Sequence, residues 1–202
     1  MKCIKYWLIF FFALSFFFEA NSQQNWKLTK ENNGIKVYMA SSKQSKFKSI
    51  RVQCVFDGTI PKLINIIKNV SKHTDWVYKT KEAYVLKQVS PSEFIYYSES
   101  IMPWPMSNRD GSFDLSLSYD TANNVLRINA FAEPNFIAIK AGLVRIPYSK
   151  ASLYVTEFKN QLTIDYIFEV DPGGSIPAWL VNLFADDGPY ESFQKLARLL
   201  KS

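Results

Sequence analysis

Two stretches of strict alternation constrain this chain more than any other feature. Phe113, Leu115, Leu117 and Tyr119 alternate with Ser112, Asp114, Ser116 and Ser118. Leu162, Ile164, Tyr166, Phe168 and Val170 alternate with Thr163, Asp165 and Glu169. A period of two puts each apolar set on one side of a strand, so the chain must build a sheet with one face buried. Weaker strand patterns occupy Ile35 to Ala40, Phe47 to Phe56, Ala83 to Val89, Glu93 to Ile101, Val125 to Ala132 and Ala151 to Phe158. Ala122-Asn123-Asn124 and Lys159-Asn160-Gln161 are short polar connections that suit hairpins, which makes neighbouring strands antiparallel.

A sheet with one apolar face needs a cover, and two regions of helical spacing supply candidates. Thr59 is placed to cap a helix with Pro61 in its first turn, and Leu63, Ile66, Ile67 and Val70 fall on one face. A second helical region follows Asp171-Pro172-Gly173-Gly174, with Ser175 as its cap, Pro177 in its first turn, and Ile176, Trp179, Leu180, Leu183 and Phe184 along it. Asp186-Asp187-Gly188-Pro189 should break or kink this helix, after which Tyr190, Phe193, Leu196, Ala197 and Leu200 line one side of an amphipathic continuation. Strands, a helix, more strands and a terminal helix make an α+β domain with segregated helices rather than an alternating βαβ chain. The pattern leaves open whether the interior of such a domain is packed or hollow.

Composition then limits function. Lys2 and Lys5 precede an apolar run from Tyr6 to Phe18, and Ala20-Asn21-Ser22 offers small residues at a cleavage position, so residues 1–22 read as a signal peptide and 23–202 as one domain. The expected product is exported, periplasmic or secreted, after cleavage near Ser22. Removing the leader takes the formal net charge from +6 to +5. The lysines are dispersed, and nucleic-acid binding is not expected. Cys54 is the one cysteine outside the leader, so no intramolecular disulfide is available to the remaining chain. With a single histidine, His73, a zinc site of Cys/His type cannot be assembled, and neither a G-x-S-x-G elbow nor a phosphate-binding glycine loop is present. His73 sits in the polar segment Ser71 to Asp75 and is expected at the surface. No metal or other cofactor is implied, and the chain is not expected to be an enzyme.

Three linked motifs occur in an order and spacing that resemble the StAR-related lipid-transfer (START) family: PWPMSNRD from Pro103 to Asp110, GLVRIPY from Gly142 to Tyr148, and DPGGSIPAWLVN from Asp171 to Asn182. Trp26, the stretch from Asn33 to Tyr38, and Asp75-Trp76 extend the resemblance over nearly all of the chain beyond the leader. It implies a helix-grip fold, a curved antiparallel sheet wrapped around a long C-terminal helix, enclosing a cavity for one apolar molecule such as a sterol, phospholipid or fatty-acyl lipid. It also implies carriage of that lipid between membranes, with a lipid ligand and a transient membrane surface as partners and a monomeric chain. Cyclase-like or hydrolase-like chemistry on an apolar aromatic substrate in the same pocket is the alternative.

The candidate lipid-binding residues are Trp104, Arg109, Tyr166, Trp179, Leu183 and Phe184. Trp104, between two prolines, suits a tunnel mouth, a membrane interface or packing of its loop against the sheet. Arg109 and Asp110 suit a buried pair, either receiving a polar head group or serving the structure. Glu99, Arg127, Asp165 and Glu169 are further polar strand positions whose facing the pattern does not settle. Gly173 and Gly174 should let the backbone turn sharply out of the preceding strand.

Overall fold

The structure, a computed structural model, describes residues 24–42, 46–177 and 186–201. The described residues form ten strands and a few helices. The strands are β1 (Lys27–Asn32), β2 (Ile35–Ser41), β3 (Lys48–Asp57), β4 (Thr80–Ser90), β5 (Glu93–Ser100), β6 (Arg109–Asp120), β7 (Val125–Ala132), β8 (Val144–Arg145), β9 (Tyr148–Phe158) and β10 (Gln161–Asp171). The helices are α1 (Ile60–Lys68), a 3₁₀ turn at Val70–Lys72, α2 (His73–Trp76) and α3 (Asp187–Lys201). All eight expected strands are present. β1 and β8 were not expected.

The strands form one sheet in the order β1-β2-β3-β10-β9-β7-β6-β5-β4, every neighbour antiparallel. The two-residue β8 runs parallel to the start of β6, with Arg109 opposite Val144 and Asp110 opposite Arg145. The chain returns once across the sheet, when β10 pairs with β3 as well as β9. Turn chemistry sets the register. Lys159 and Asn160 both take positive φ in a two-residue hairpin loop between β9 and β10, which matches the twist of the flanking strands. Asn33 and Gly34 do the same between β1 and β2, and this Asn-Gly pair was the available signal for β1.

The helices cover the apolar face. Thr59 caps α1 by accepting from the Lys62 backbone N–H at 3.4 Å, with Pro61 in the first turn, as its sequence position requires. Leu63 and Ile67 are buried and Ile66 packs partly against the same core. α3 lies on β2 and β3 and touches α1 and α2, burying Tyr190, Phe193, Leu196 and Leu200. Asp187, Gly188 and Pro189 form its first turn, where proline costs no hydrogen bond. The segment from Ala178 to Ala185, and with it the expected Trp179, Leu183 and Phe184, lies outside the described residues, as does the leader. The architecture is the expected α+β arrangement, a C-terminal helix packed against an antiparallel sheet.

The turn from β10 toward α3 depends on glycine. Gly173 and Gly174 have φ of 69° and 68°, and a Cβ on Gly173 would lie 2.7 Å from the carbonyl oxygen of Arg145. No side chain fits there. The Asp171 carboxylate accepts from the Gly173 N–H at 2.9 Å, closing the turn locally.

Candidate functional site

Between the sheet and the helices lies a cavity of about 370 Å³. Its wall is written in the period-two pattern of five strands. Tyr96, Ser98 and Ser100 face it from β5, and Phe113 and Leu115 from β6. Ile128 and Ala130 of β7 continue the wall, followed by Ser149, Ala151 and Leu153 of β9 and Tyr166, Phe168 and Val170 of β10. Alternate residues of five neighbouring strands can meet one space only if the sheet curves around it. Ile67 of α1, His73 and Trp76 of α2, and Pro189, Ser192, Phe193 and Leu196 of α3 close the remaining side. The open question of a packed or hollow interior is thus decided for a hollow one.

Aromatic rings form much of the wall. Tyr166 stacks on Phe168 with ring centres 6.1 Å apart and meets Phe193 at 5.4 Å, while Tyr96 meets Phe113 at 5.4 Å. Burial raises the pKa of the Tyr166 phenol and pushes that of Tyr96 up to about 12. Both stay neutral. Among the described lining residues none is Asp, Glu, Lys or Arg, so the cavity holds no charged side chain there.

His73 departs from expectation. It is buried rather than at the surface, its Nε2 lies 2.8 Å from the Ile67 carbonyl oxygen, and its ring meets Trp76 and Tyr96 edge-on at 5.5 and 5.7 Å. The polar residues around it face water, whereas the tight 3₁₀ turn before α2 rolls this one side chain inward. Burial holds its pKa below the ordinary value, against a smaller opposing effect of the Ile67 carbonyl. No carboxylate stands among the described lining residues to activate it. Hydrophobic enclosure is what this arrangement supplies.

Of the expected site residues, Tyr166 lines the cavity. Trp104 does not, and it stands 93% exposed in the β5–β6 loop rather than packed on the sheet. Arg109 is buried, but its Nε donates to the Pro172 carbonyl at 3.4 Å and its Nη1 to the Ser107 carbonyl, outside the cavity lining. The pairing of Arg109 with Asp110 is corrected. Adjacent residues of a strand point to opposite faces, and Asp110 instead accepts two hydrogen bonds from Arg145, at 2.9 and 3.0 Å, with both side chains nearly inaccessible. Arg145 also donates to the carbonyls of Pro134, Ile137 and Ala138, so this pair pins the loop after β7. Glu99 is buried against Lys81 and Asn108, and Asp165 pairs with Arg51. Glu169 accepts from Ser49 and Tyr148, and Arg127 lies over the Tyr154 ring. None of these four lines the cavity.

A sheet curved around an apolar cavity and closed by a C-terminal helix defines the helix-grip class of ligand-binding domains. The START domain profile matches residues 19–202, and the chain belongs to the START domain family. It is similar to an uncharacterized protein of Pseudomonas aeruginosa, 30% identical over 179 residues covering 86% of this chain and 85% of that protein. It is also similar to the phosphatidylcholine transfer protein of Mus musculus, 29% identical over 172 residues, 81% of this chain and 78% of that one. Among solved structures, a STAR-related lipid transfer protein from Xanthomonas axonopodis superposes with a TM-score of 0.81 at 25% identity, covering 88% of this chain and 99% of the other. General lipid binding is the common property of this family.

These relatives correct one expectation. The expectation of a periplasmic or secreted product is corrected by the phosphatidylcholine transfer proteins of Mus musculus and Homo sapiens, which the chain resembles and which are cytosolic. A charged, apolar N-terminal stretch is a compositional signal, and composition alone does not set the compartment.

Proposed function

We infer that the protein binds one apolar lipid in this cavity and carries it between membranes. The observation that carries the reading is the hollow, aromatic-lined interior without a charged side chain among its described lining residues. Each methylene moved from water into such a space gains about 0.8 kcal/mol, so about ten methylenes suffice for stable uptake without a specific polar contact. The names of the similar proteins support transfer as the role. Trp104 and Ile139, 93% and 70% exposed, are where the carrier meets a bilayer, since an indole ring partitions well into the membrane interface.

The protein should copurify with lipid in a fixed molar ratio, detected by solvent extraction and mass spectrometry. The purified chain should also move a fluorescent lipid from donor to acceptor vesicles. Preparations that are consistently empty and take up no lipid from vesicles would refute the reading.

A further inference from the structure

The cavity wall is not uniform. Every lining position of β5 carries a hydroxyl, on Tyr96, Ser98 and Ser100, and the first lining position of β9 is Ser149. Because the strands run antiparallel, the end of β5, the start of β9 and the end of β10 share one edge of the sheet. The serines lie toward that edge, beside the loop that carries Trp104. Along the strands away from it the lining turns to Leu115, Ile128 and Leu153, with Ile67 and Leu196 from the helices and the Tyr166 phenol as the exception. One step further in the same direction, Leu126, Val155 and Ile164 are packed in the core, and there the cavity stops.

Buried serines elsewhere are spent on the protein. Ser49 accepts from Gln24 and donates to Glu169, Ser112 donates to the Glu133 carbonyl at 2.6 Å, and Ser192 donates to the Gly188 carbonyl and accepts from the Tyr78 N–H. Ser149, only 7% exposed, faces the cavity without a partner among the described residues, as do Ser98 and Ser100. A hydroxyl withdrawn from water without a partner costs about 1–3 kcal/mol, so an acyl chain is a poor neighbour for three of them.

We propose that Ser98, Ser100 and Ser149 form a head-group subsite: the lipid lies with its oxygen-bearing head at this edge of the sheet, and its acyl chain runs inward to Ile128, Leu153 and Leu196. This rests on the lipid-binding reading above and gives the ligand a direction. Ser98 and Ser100 stand on one wall and Ser149 on another, two strands removed, so they meet different oxygens of the head. A serine hydroxyl both donates and accepts and therefore serves the hydroxyl of a glycerol head and the oxygen of a phosphate alike.

The full-length protein is titrated with three fluorescent probes: a monoacylglycerol with a polyene chain, a lysophosphatidylcholine with the same chain, and the hydrocarbon diphenylhexatriene. Ser149→Ala and the double variant Ser98→Ala/Ser100→Ala should each weaken at least one head-bearing probe about 3–10-fold, the worth of a hydrogen bond, and the hydrocarbon by less than about twofold. Loss confined to the monoacylglycerol identifies a hydroxyl as the bound oxygen, and loss confined to the lysophospholipid a phosphate. Direction is read on the parent protein, independently of any variant, by photolabelling with two monoacylglycerols. A diazirine at the end of the chain should crosslink to peptides holding Ile128, Leu153 or Leu196, and one on the glycerol to peptides holding Ser98, Ser100 or Ser149. The reverse labelling, unchanged binding of both head-bearing probes in both variants, or a loss shared equally by the hydrocarbon would each overturn the proposal. Should no probe bind the parent, the hydrocarbon included, lipid binding itself fails. Should the probes bind and the serines prove indifferent, only the subsite does.

Discussion

His73 shows how far a residue's local neighbours misstate its surroundings. Ser71, Lys72, Thr74 and Asp75 frame it with solvated side chains, yet its ring packs between Trp76 and Tyr96 inside the wall. Burial keeps its pKa below the ordinary 6.5. Above that pH the ring is neutral in the folded and unfolded chain alike and adds no pH dependence. As pH falls through that value, the unfolded chain takes up a proton that the folded one resists, so stability declines until the lower folded pKa is passed. His73 is the only histidine, and most carboxylates titrate lower, so thermal melts between pH 7 and 5 isolate it. Stability should fall by up to about 1.4 kcal/mol per pH unit in that window. His73→Gln should flatten the slope.

At the scale of elements, the glycine turn after β10 and the Asp110–Arg145 pair organise the same corner. Gly173 abuts the Arg145 carbonyl, Arg109 reaches the Pro172 carbonyl, and β8 brings Arg145 against Asp110. The motifs at Arg109-Asp110, Gly142 to Tyr148 and Asp171 to Pro177 are therefore one assembly, although more than sixty residues separate the first from the last. Gly173→Ala needs a left-handed backbone from a residue with a Cβ and drives that Cβ into a carbonyl. It should cost roughly 2–4 kcal/mol, read as a lowered midpoint in urea denaturation with an unchanged m-value. Gly34→Ala, with φ of 72° but nothing within 4 Å of its Cβ, carries only the backbone cost and should lose about 1 kcal/mol.

For the whole molecule, curvature turns a sheet into a container. Ala130 and Ala151 are small residues on neighbouring strands β7 and β9, directly paired and both on the cavity wall. Replacing Ala130 with Phe should occupy the space meant for ligand. Lipid recovered from the purified protein should fall more than about tenfold, while the stability of the lipid-free chain stays within about 1 kcal/mol, since the new ring fills a void instead of crowding a packed core. Normal lipid content in that variant would place the ligand elsewhere.

Strands, hairpins, the capped first helix and the glycine turn were legible because each depends on neighbours within a few residues: a period of two, an N-cap, a φ that suits glycine or asparagine. Family membership was legible too, since three motifs keep their order and spacing. The partner of Asp110 and the burial of His73 were not. Each follows from which distant segment meets the residue, and that is decided by how strongly the sheet curves and where α3 lies across it. Alternation determines that a strand has an inner face. Only the tertiary structure determines that the inner faces of five strands stand apart far enough to leave room for a ligand.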